Sequence, residues 1–504
     1  MLDGHSLGGH LATVFARLFP GSVASISTYN GLGVGRLLPD GILRPIEDTL
    51  GLGRTSFPAN VSNYYAEHGI NLATSDLFVA QLGTRIPVFN EESFAVPNHF
   101  IYKLTDALAL CDVMGTIDGN LSLATATQIL DAGAANAAAS LETVLDALRR
   151  LYRVVDLTPT EIGDEGGNTV SRADFHAKLG ALRTKVEVGP TATLTSLVAL
   201  TTPQLISGTQ GADGIAYRYA LKQLNPFVAL GPNSLYDPHN ANGELAVYDA
   251  ASRTGTLTTE WIADRAMLLQ AELQRNIQDN ADIARIPGAG DTATEYHHYR
   301  GGKEEIFFAQ PANPAPGVLK TEVVMFADDA GRKLIGSDYV LRDRLYGGGG
   351  TDYLEGKSGD DRLEGGKGLD IYNYNGSLTP QLIGAPVPKN DGTDTIRDTD
   401  GKGVLRYVFT DGSANPRSTV IADASDKVNS VTWRSADGKF IYVKSGADLV
   451  VTINGDASGT LRLKDFRDGD FGIYLRTARA NPQTNRDIFG DQDNSIGTDD
   501  LGNV

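Results

Sequence analysis

The stretch GGGGTDYLEGKSGDDRLEGGKGLDIYN, residues 347–373, decides the reading of this chain. Cut into nines, it gives three units beginning at Gly347, Gly356 and Gly365. Each fits G-G-x-G-x-D-x-U-x, where U is a large apolar residue, with one substitution, Lys357 at the second position. Glycines allow tight turns at positive φ and bring backbone carbonyls close to a cation. Asp352, Asp361 and Asp370 each add a hard carboxylate oxygen, the donor type that Ca²⁺ takes. Two residues later, Leu354, Leu363 and Tyr372 are expected to point inward and stack on their counterparts in the next coil. Asp343 and Leu345 keep the phase in a degenerate unit upstream. The spacing therefore predicts a short parallel β-roll over 334–380, about three and a half coils long. Asp343, Asp352, Asp361 and Asp370, with Gly348, Gly350, Gly359, Gly366 and Gly368, are its candidate calcium ligands. Without the metal the stacked aspartates should repel and leave the unit disordered.

Composition agrees with a cation-binding protein and argues against a nucleic-acid partner. Among 504 residues, 62 Asp and Glu stand against 44 Lys and Arg, a net charge of −18. A single cysteine, Cys111, rules out an internal disulfide framework, so bound metal is one stabiliser open to an extracellular chain. The sequence shows neither a cleavable N-terminal signal pattern nor an apolar run long enough to span a bilayer.

Around the roll, the texture changes along the chain. Residues 1–118 alternate strand and helix patterns. An apolar stripe (Leu7, Leu11, Val14, Phe15, Leu18) marks a helix closed by Pro20-Gly21, and SVASIST (22–28) and ANVSNYYA (59–66) read as strands. NHFIYKLTDALALCDVM (98–114) reads as a helix with Asn98 as N-cap. Residues 119–320 are mostly helical in pattern and carry no chemical motif, and PANPAPG (311–317) is a candidate linker. Residues 391–504 are β-rich, with KFIYVKSGADLVVTING (439–455) reading as paired strands. The fold class expected is multi-domain: a partial α/β-hydrolase, a mainly helical region, a parallel β-roll and a β-rich C-terminal segment.

The second chemical signature is Gly4-His5-Ser6-Leu7-Gly8, a G-x-S-x-G turn. In such an elbow Ser6 is lifted between a strand and a helix, the glycines at 4 and 8 allow close packing, and the Leu7 N–H faces a developing oxyanion. A triad then needs an acid and a histidine, in that chain order. His99 enters an amphipathic helix and is the candidate base; His10 lies one turn into the elbow helix and His68 is the remaining histidine after Ser6 in the region. Only Met1, Leu2 and Asp3 precede the motif, so no strand is expected before Gly4 and the region is expected to be N-terminally truncated.

The 347–373 repeats resemble the RTX (repeats-in-toxin, haemolysin-type) calcium-binding family. GTDTIRDTDGKGVLRYV (392–408) and GTLRLKDFRDGDFGIYL (459–475) look like the β-rich segment that follows such rolls. DIFGDQDNSIGTDDLGNV (487–504) looks like a weak Gly/Asp unit cut short. The resemblance implies Ca²⁺ as cofactor and export from a Gram-negative bacterium by type I secretion machinery, without a cleaved N-terminal signal. GHSLGGHLA (4–12) resembles the elbow of the class 3 lipases. That second resemblance implies a carboxylic ester substrate such as an acyl glycerol or phospholipid, with contact to a membrane surface. In those lipases the acid follows the strand that here reads NVSNYYA, which points to Glu67 where the family has aspartate; Asp76 on the next loop is the rival. The expected function is a secreted, calcium-binding serine lipase or carboxylesterase. The alternative is a non-catalytic, calcium-binding, toxin-like or adhesive protein whose hydrolase remnant is inert.

Overall fold

The computed structural model describes residues 1–32, 34–35, 48–49, 51, 61–67, 79–80, 83–90, 101–134, 139–162, 172–277, 294–299, 303–309, 321–337, 341–375, 392–409, 417–453 and 459–476. The chain divides into two compact units. One comprises residues 1–245 and 262–282, the other residues 246–261 and 283–504. Among the described residues no helix is long and apolar enough to cross a membrane.

The first unit begins with four parallel strands in the spatial order Leu2–His5, Ile26–Tyr29, Val61–Ala66 and Thr84–Val88. A strand does precede the Ser6 turn, since Leu2–His5 pairs with Ile26–Tyr29 along its whole length. The helix Leu7–Leu18 makes the first crossover. Its larger apolar residues do not form the buried face that their spacing predicts. Ala12 and Ala16 are buried, whereas Leu7, Leu11 and Phe15 are 58%, 58% and 44% exposed. The reason is distance. A Cβ on Gly9 would lie only 3.0 Å from the Gly31 Cα and 3.1 Å from the Thr28 Cβ, so the helix approaches the sheet along its small side chains.

Helices Ile101–Ile117, Leu123–Asp131, Ser140–Leu151 and Ala173–Val188 follow. They enclose Leu104, Leu110, Met114, Leu130, Leu145, Leu148 and Leu182, whose burial contributes about 1.5–3 kcal/mol per large side chain. The helix expected over 98–114 appears as Ile101–Ile117; it buries Leu104, Ala107, Leu110, Met114 and Ile117, while Ile101 is exposed and Asn98 lies outside the described residues. Ser122 caps its helix by accepting from the Thr125 N–H at 3.0 Å. Buried Arg149 anchors the next turn, donating to the Thr158 carbonyl at 3.0 Å and pairing with Asp146.

The helical pattern of 119–320 stops short. An antiparallel strand pair, Thr193–Ser196 with Phe227–Leu230, interrupts it, and after helix Thr259–Ile277 come strands Thr294–Tyr299 and Lys303–Ala309. TEYHHY and KEEIFFA carry aromatic and branched residues in runs too short for an amphipathic helix, and they pair antiparallel. They belong to the second unit. The candidate linker 311–317 lies outside the described residues.

The second unit carries an eleven-stranded sheet and a five-stranded sheet. Strands Thr321–Ala327, Arg344–Tyr346, Arg362–Glu364, Gly392–Arg397 and Gly459–Leu463 run parallel in the first. Lys333–Ile335, Tyr353–Glu355, Ile371–Asn375 and Val404–Phe409 run parallel in the second. From Thr321 to Phe409 the described strands alternate between the two sheets, so one full coil consumes two nine-residue units. Arg344 stands opposite Arg362, and Tyr353 opposite Ile371, each eighteen residues on. The three motif units therefore make about one and a half coils, not three. Met325, Leu345, Leu363, Ile396 and Leu463 form one inward ladder, and Leu334, Leu354, Tyr372 and Leu405 the other. All nine are buried in one core.

Candidate functional site

Two places bring sequence-predicted residues together. At the carboxyl end of the parallel sheet, Ser6 holds φ 55° and ψ −122°, a strained backbone for a residue with a side chain. The strain is fixed from both sides: the Ser6 N–H donates to the Tyr29 carbonyl at 3.2 Å, and the Ser6 carbonyl accepts from the Leu32 N–H at 3.0 Å. Leu7 opens the following helix, so its N–H lies among the donors that no helical carbonyl satisfies. The glycine that makes room is not quite the expected pair. A Cβ on Gly4 would sit 2.4 Å from the Gly8 carbonyl carbon, and Gly9 is nearly as tight, whereas a Cβ on Gly8 meets nothing within 4 Å.

Glu67 follows the third strand directly and is exposed; its N–H donates to the Val88 carbonyl at 3.0 Å. Ser6 and Glu67 thus leave the same end of the sheet two strands apart, about 10 Å at the usual strand spacing. The fourth strand, Thr84–Val88, precedes the segment carrying His99. His99, Asp76 and His68 lie outside the described residues. Asn30 was not foreseen. Buried at the end of the second strand with φ 44°, it accepts from the Ala66 N–H at 2.9 Å and ties that strand to the third next to Glu67. Its only sequence signal was the Asn-Gly pair that ends the strand.

The second place is the edge where the two sheets of the second unit are joined by turns. Because a coil holds two repeats, the aspartates separate into two columns. In one, the Asp361 Oδ1 accepts from the Asp343 N–H at 2.8 Å and the Asp394 Oδ1 from the Asp361 N–H at 3.0 Å. In the other, the Asp352 Oδ1 accepts from the Arg332 N–H at 2.5 Å and the Asp370 Oδ1 from the Asp352 N–H at 2.9 Å. Each carboxylate therefore grips the turn one coil earlier with one oxygen. For Asp352 and Asp370 the other oxygen, Oδ2, is buried with no hydrogen-bond partner. It sits against the first glycine of its own repeat, 2.6 Å and 2.2 Å from where a Cβ would stand on Gly347 and Gly365.

Glycine carbonyls face the same layers: a Cβ on Gly368 would lie 1.6 Å from the Gly350 carbonyl oxygen, and one on Gly366 2.1 Å from that of Gly348. Gly348, Gly350, Gly359, Gly366 and Gly368 all have positive φ. Lys357, the one departure from the motif, is forced to φ 70° at the position where its neighbours have glycine.

Burial sets the electrostatics. The Asp352 carboxyl is pushed up to about 8, by desolvation first and then by Asp370, Asp328 and Asp329. Desolvation also raises Asp343 and Asp370 to about 6. Asp398, unforeseen in the sequence, lies at the next turn, where it accepts from the Tyr372 hydroxyl at 3.1 Å; burial and the Asp370 and Asp400 charges raise it well above the usual range. Buried carboxyl oxygens without donors, stacked beside backbone carbonyls, form an oxygen-rich set suited to a hard dication. Among the described residues no three His, Cys, Asp or Glu side chains converge as a metal-binding group. The donors here are of a different kind, one carboxylate per turn with main-chain oxygens.

Compared with protein-family models and with curated proteins, the chain matches none.

Proposed function

We propose that this is a secreted calcium-binding protein of the RTX, haemolysin-type class, with a serine ester hydrolase site of the class 3 lipase kind in its first unit. In this reading the coils of the second unit are a parallel β-roll, and the first four strands belong to an α/β-hydrolase sheet. One observation carries the calcium reading: the orphaned, fully buried Oδ2 atoms of Asp352 and Asp370, each set beside the first glycine of its own repeat. Asp343, Asp352, Asp361 and Asp370 would hold the ions together with carbonyls of the glycine turns. Calcium there supplies positive charge that lets buried carboxylates ionise. Export by type I secretion machinery follows from the same reading.

The strained Ser6 turn favours the enzymatic half. Ser6 attacks an ester carbonyl, His99 takes the proton and returns it to the leaving alcohol, and Glu67 or Asp76 orients the imidazole. The Leu7 N–H donates to the oxyanion. The substrate class is a carboxylic ester, an acyl glycerol or phospholipid at a membrane surface. Far-ultraviolet circular dichroism and calorimetry of the full chain, titrated with Ca²⁺ after chelation, test the first half; a flat titration sinks it. Hydrolysis of p-nitrophenyl esters by wild type and Ser6→Ala tests the second. Calcium binding without Ser6-dependent hydrolysis supports the alternative, a toxin-like or adhesive module with an inert hydrolase remnant.

A further inference from the structure

The column of stacked turns continues beyond the repeats at its N-terminal end. The strand pairings place Phe326 opposite Tyr346 and Lys333 opposite Tyr353, so the turn Ala327–Arg332 lies in register with Gly347–Asp352 although its one glycine, Gly331, stands opposite Thr351. Its residues are Ala-Asp-Asp-Ala-Gly-Arg, which no nonapeptide pattern would select.

The layer between these two turns is lined by oxygen. A Cβ placed on Gly348 would stand 3.3 Å from the Ala327 carbonyl oxygen, 3.3 Å from that of Asp328 and 3.5 Å from the Asp329 Oδ1. Asp352 enters the same layer: its Oδ1 accepts from the Arg332 N–H, at the exit of the upper turn, while its Oδ2 is buried without a partner. The next layer down, between Gly347–Asp352 and Gly365–Asp370, is poorer in acceptors. There the Gly348 carbonyl already accepts from the Lys367 N–H at 3.1 Å, and Gly349, which has no side-chain oxygen, occupies the place that Asp329 has above.

We propose that the layer between Ala327–Arg332 and Gly347–Asp352 is a divalent-cation site, with Asp329 and Asp352 as its carboxylate ligands and the Ala327 and Asp328 carbonyls as its main-chain ligands. The proposal rests on the calcium reading of the roll and extends it to a turn that carries no repeat. Two carboxylates in place of one make this a tighter calcium site than the layer directly below it. Asp328 and Asp329 have distinct parts. The Asp328 side chain is held in a two-point ion pair with Arg332, at 2.6 and 2.8 Å, and lends the site only its carbonyl.

Substitutions of equal charge change separate this site from general acidity. Calorimetric titration of the full chain with Ca²⁺ should show that Asp329→Asn weakens one site about ten-fold or more, or removes one bound ion, the scale on which carboxylate number tunes such sites. Asp437→Asn, on the turn between strands Thr432–Arg434 and Phe440–Ser445, should leave the isotherm at wild type, and Asp370→Asn should weaken a different site. A wild-type isotherm for Asp329→Asn would overturn the proposal. Equal losses in Asp329→Asn and Asp437→Asn would overturn it as well, since they would report surface charge only. A wild-type chain that binds no calcium removes the underlying calcium reading and this site with it.

Discussion

The stacked turns and the Ser6 turn both rely on glycine, yet they use it differently. In the second unit, glycine recurs with a period, and a Cβ on Gly359, Gly366 or Gly368 would strike a carbonyl of the coil before it. In the first, one strained turn depends on two glycines that admit a helix close to a sheet. A periodic device distributes its tolerance, so one departure such as Lys357 is absorbed. A solitary device concentrates the same demand at Gly4, Ser6 and Gly9.

The comparison can be broken most sharply at Ser6. If the elbow is a working nucleophile turn, Ser6→Ala should lower ester hydrolysis by about a thousand-fold or more while leaving the calcium isotherm untouched. Unchanged turnover in the variant would show that any hydrolysis comes from elsewhere.

Next in size is an alanine placed in each glycine set. Gly368→Ala puts a Cβ 1.6 Å from the Gly350 carbonyl oxygen at φ +134°. It should cost about 3 kcal/mol or more, combining backbone strain with overpacking. Gly8→Ala has open space and should be neutral or stabilise by up to about 1 kcal/mol. Urea unfolding followed by circular dichroism measures both. Similar costs at the two positions would show that the close fit of the stack is not what separates them.

A pH series tests the stack alone. Between the ordinary carboxyl value of 3.8 and about 8, the folded Asp352 binds more protons than the unfolded one. Asp343 and Asp370 do the same up to about 6. Stability of the second unit in chelator should therefore fall as pH rises from about 4 to about 8, and level off above that. Saturating Ca²⁺ should reverse the slope, because the metal needs ionised ligands. Thermal midpoints at pH 5 and pH 8, with and without Ca²⁺, decide it; parallel slopes would refute the link between these carboxyls and the metal.

The smallest expected effect is at the one tolerated departure. Lys357→Gly relieves a side chain held at φ 70° and should stabilise by about 1 kcal/mol. A destabilised variant would mean that the Lys357 side chain contributes more than its backbone costs.

The sequence made legible the features that depend on local chemistry. Phase alone identified Leu354, Leu363 and Tyr372 as one inward set, and all three are buried in the common core. The Ser6 turn was legible from five residues. Hidden were the features that depend on pairing. Met325, Leu334, Ile396 and Leu405 hold the same ladders, but the residues before them lack the G-G-x-G-x-D spacing, so they carry no motif. The helix behind Ser6 misled for a related reason. Periodicity ranks side chains by apolarity, whereas proximity to Thr28 and Gly31 selected the small ones. His99 and Asp76, on which the triad depends, lie outside the described residues.

One feature of the stack bears on protein engineering. From Arg362 to its partner Thr395 the step is thirty-three residues instead of eighteen, as it is from Ile371 to Val404, yet the ladders stay in register. Fifteen extra residues fall between two rungs while the strand pairings on either side keep their register. The span between Asn375 and Gly392 is thus a natural splice point, where a fluorescent reporter or an affinity tag could be carried without shifting a single strand pairing.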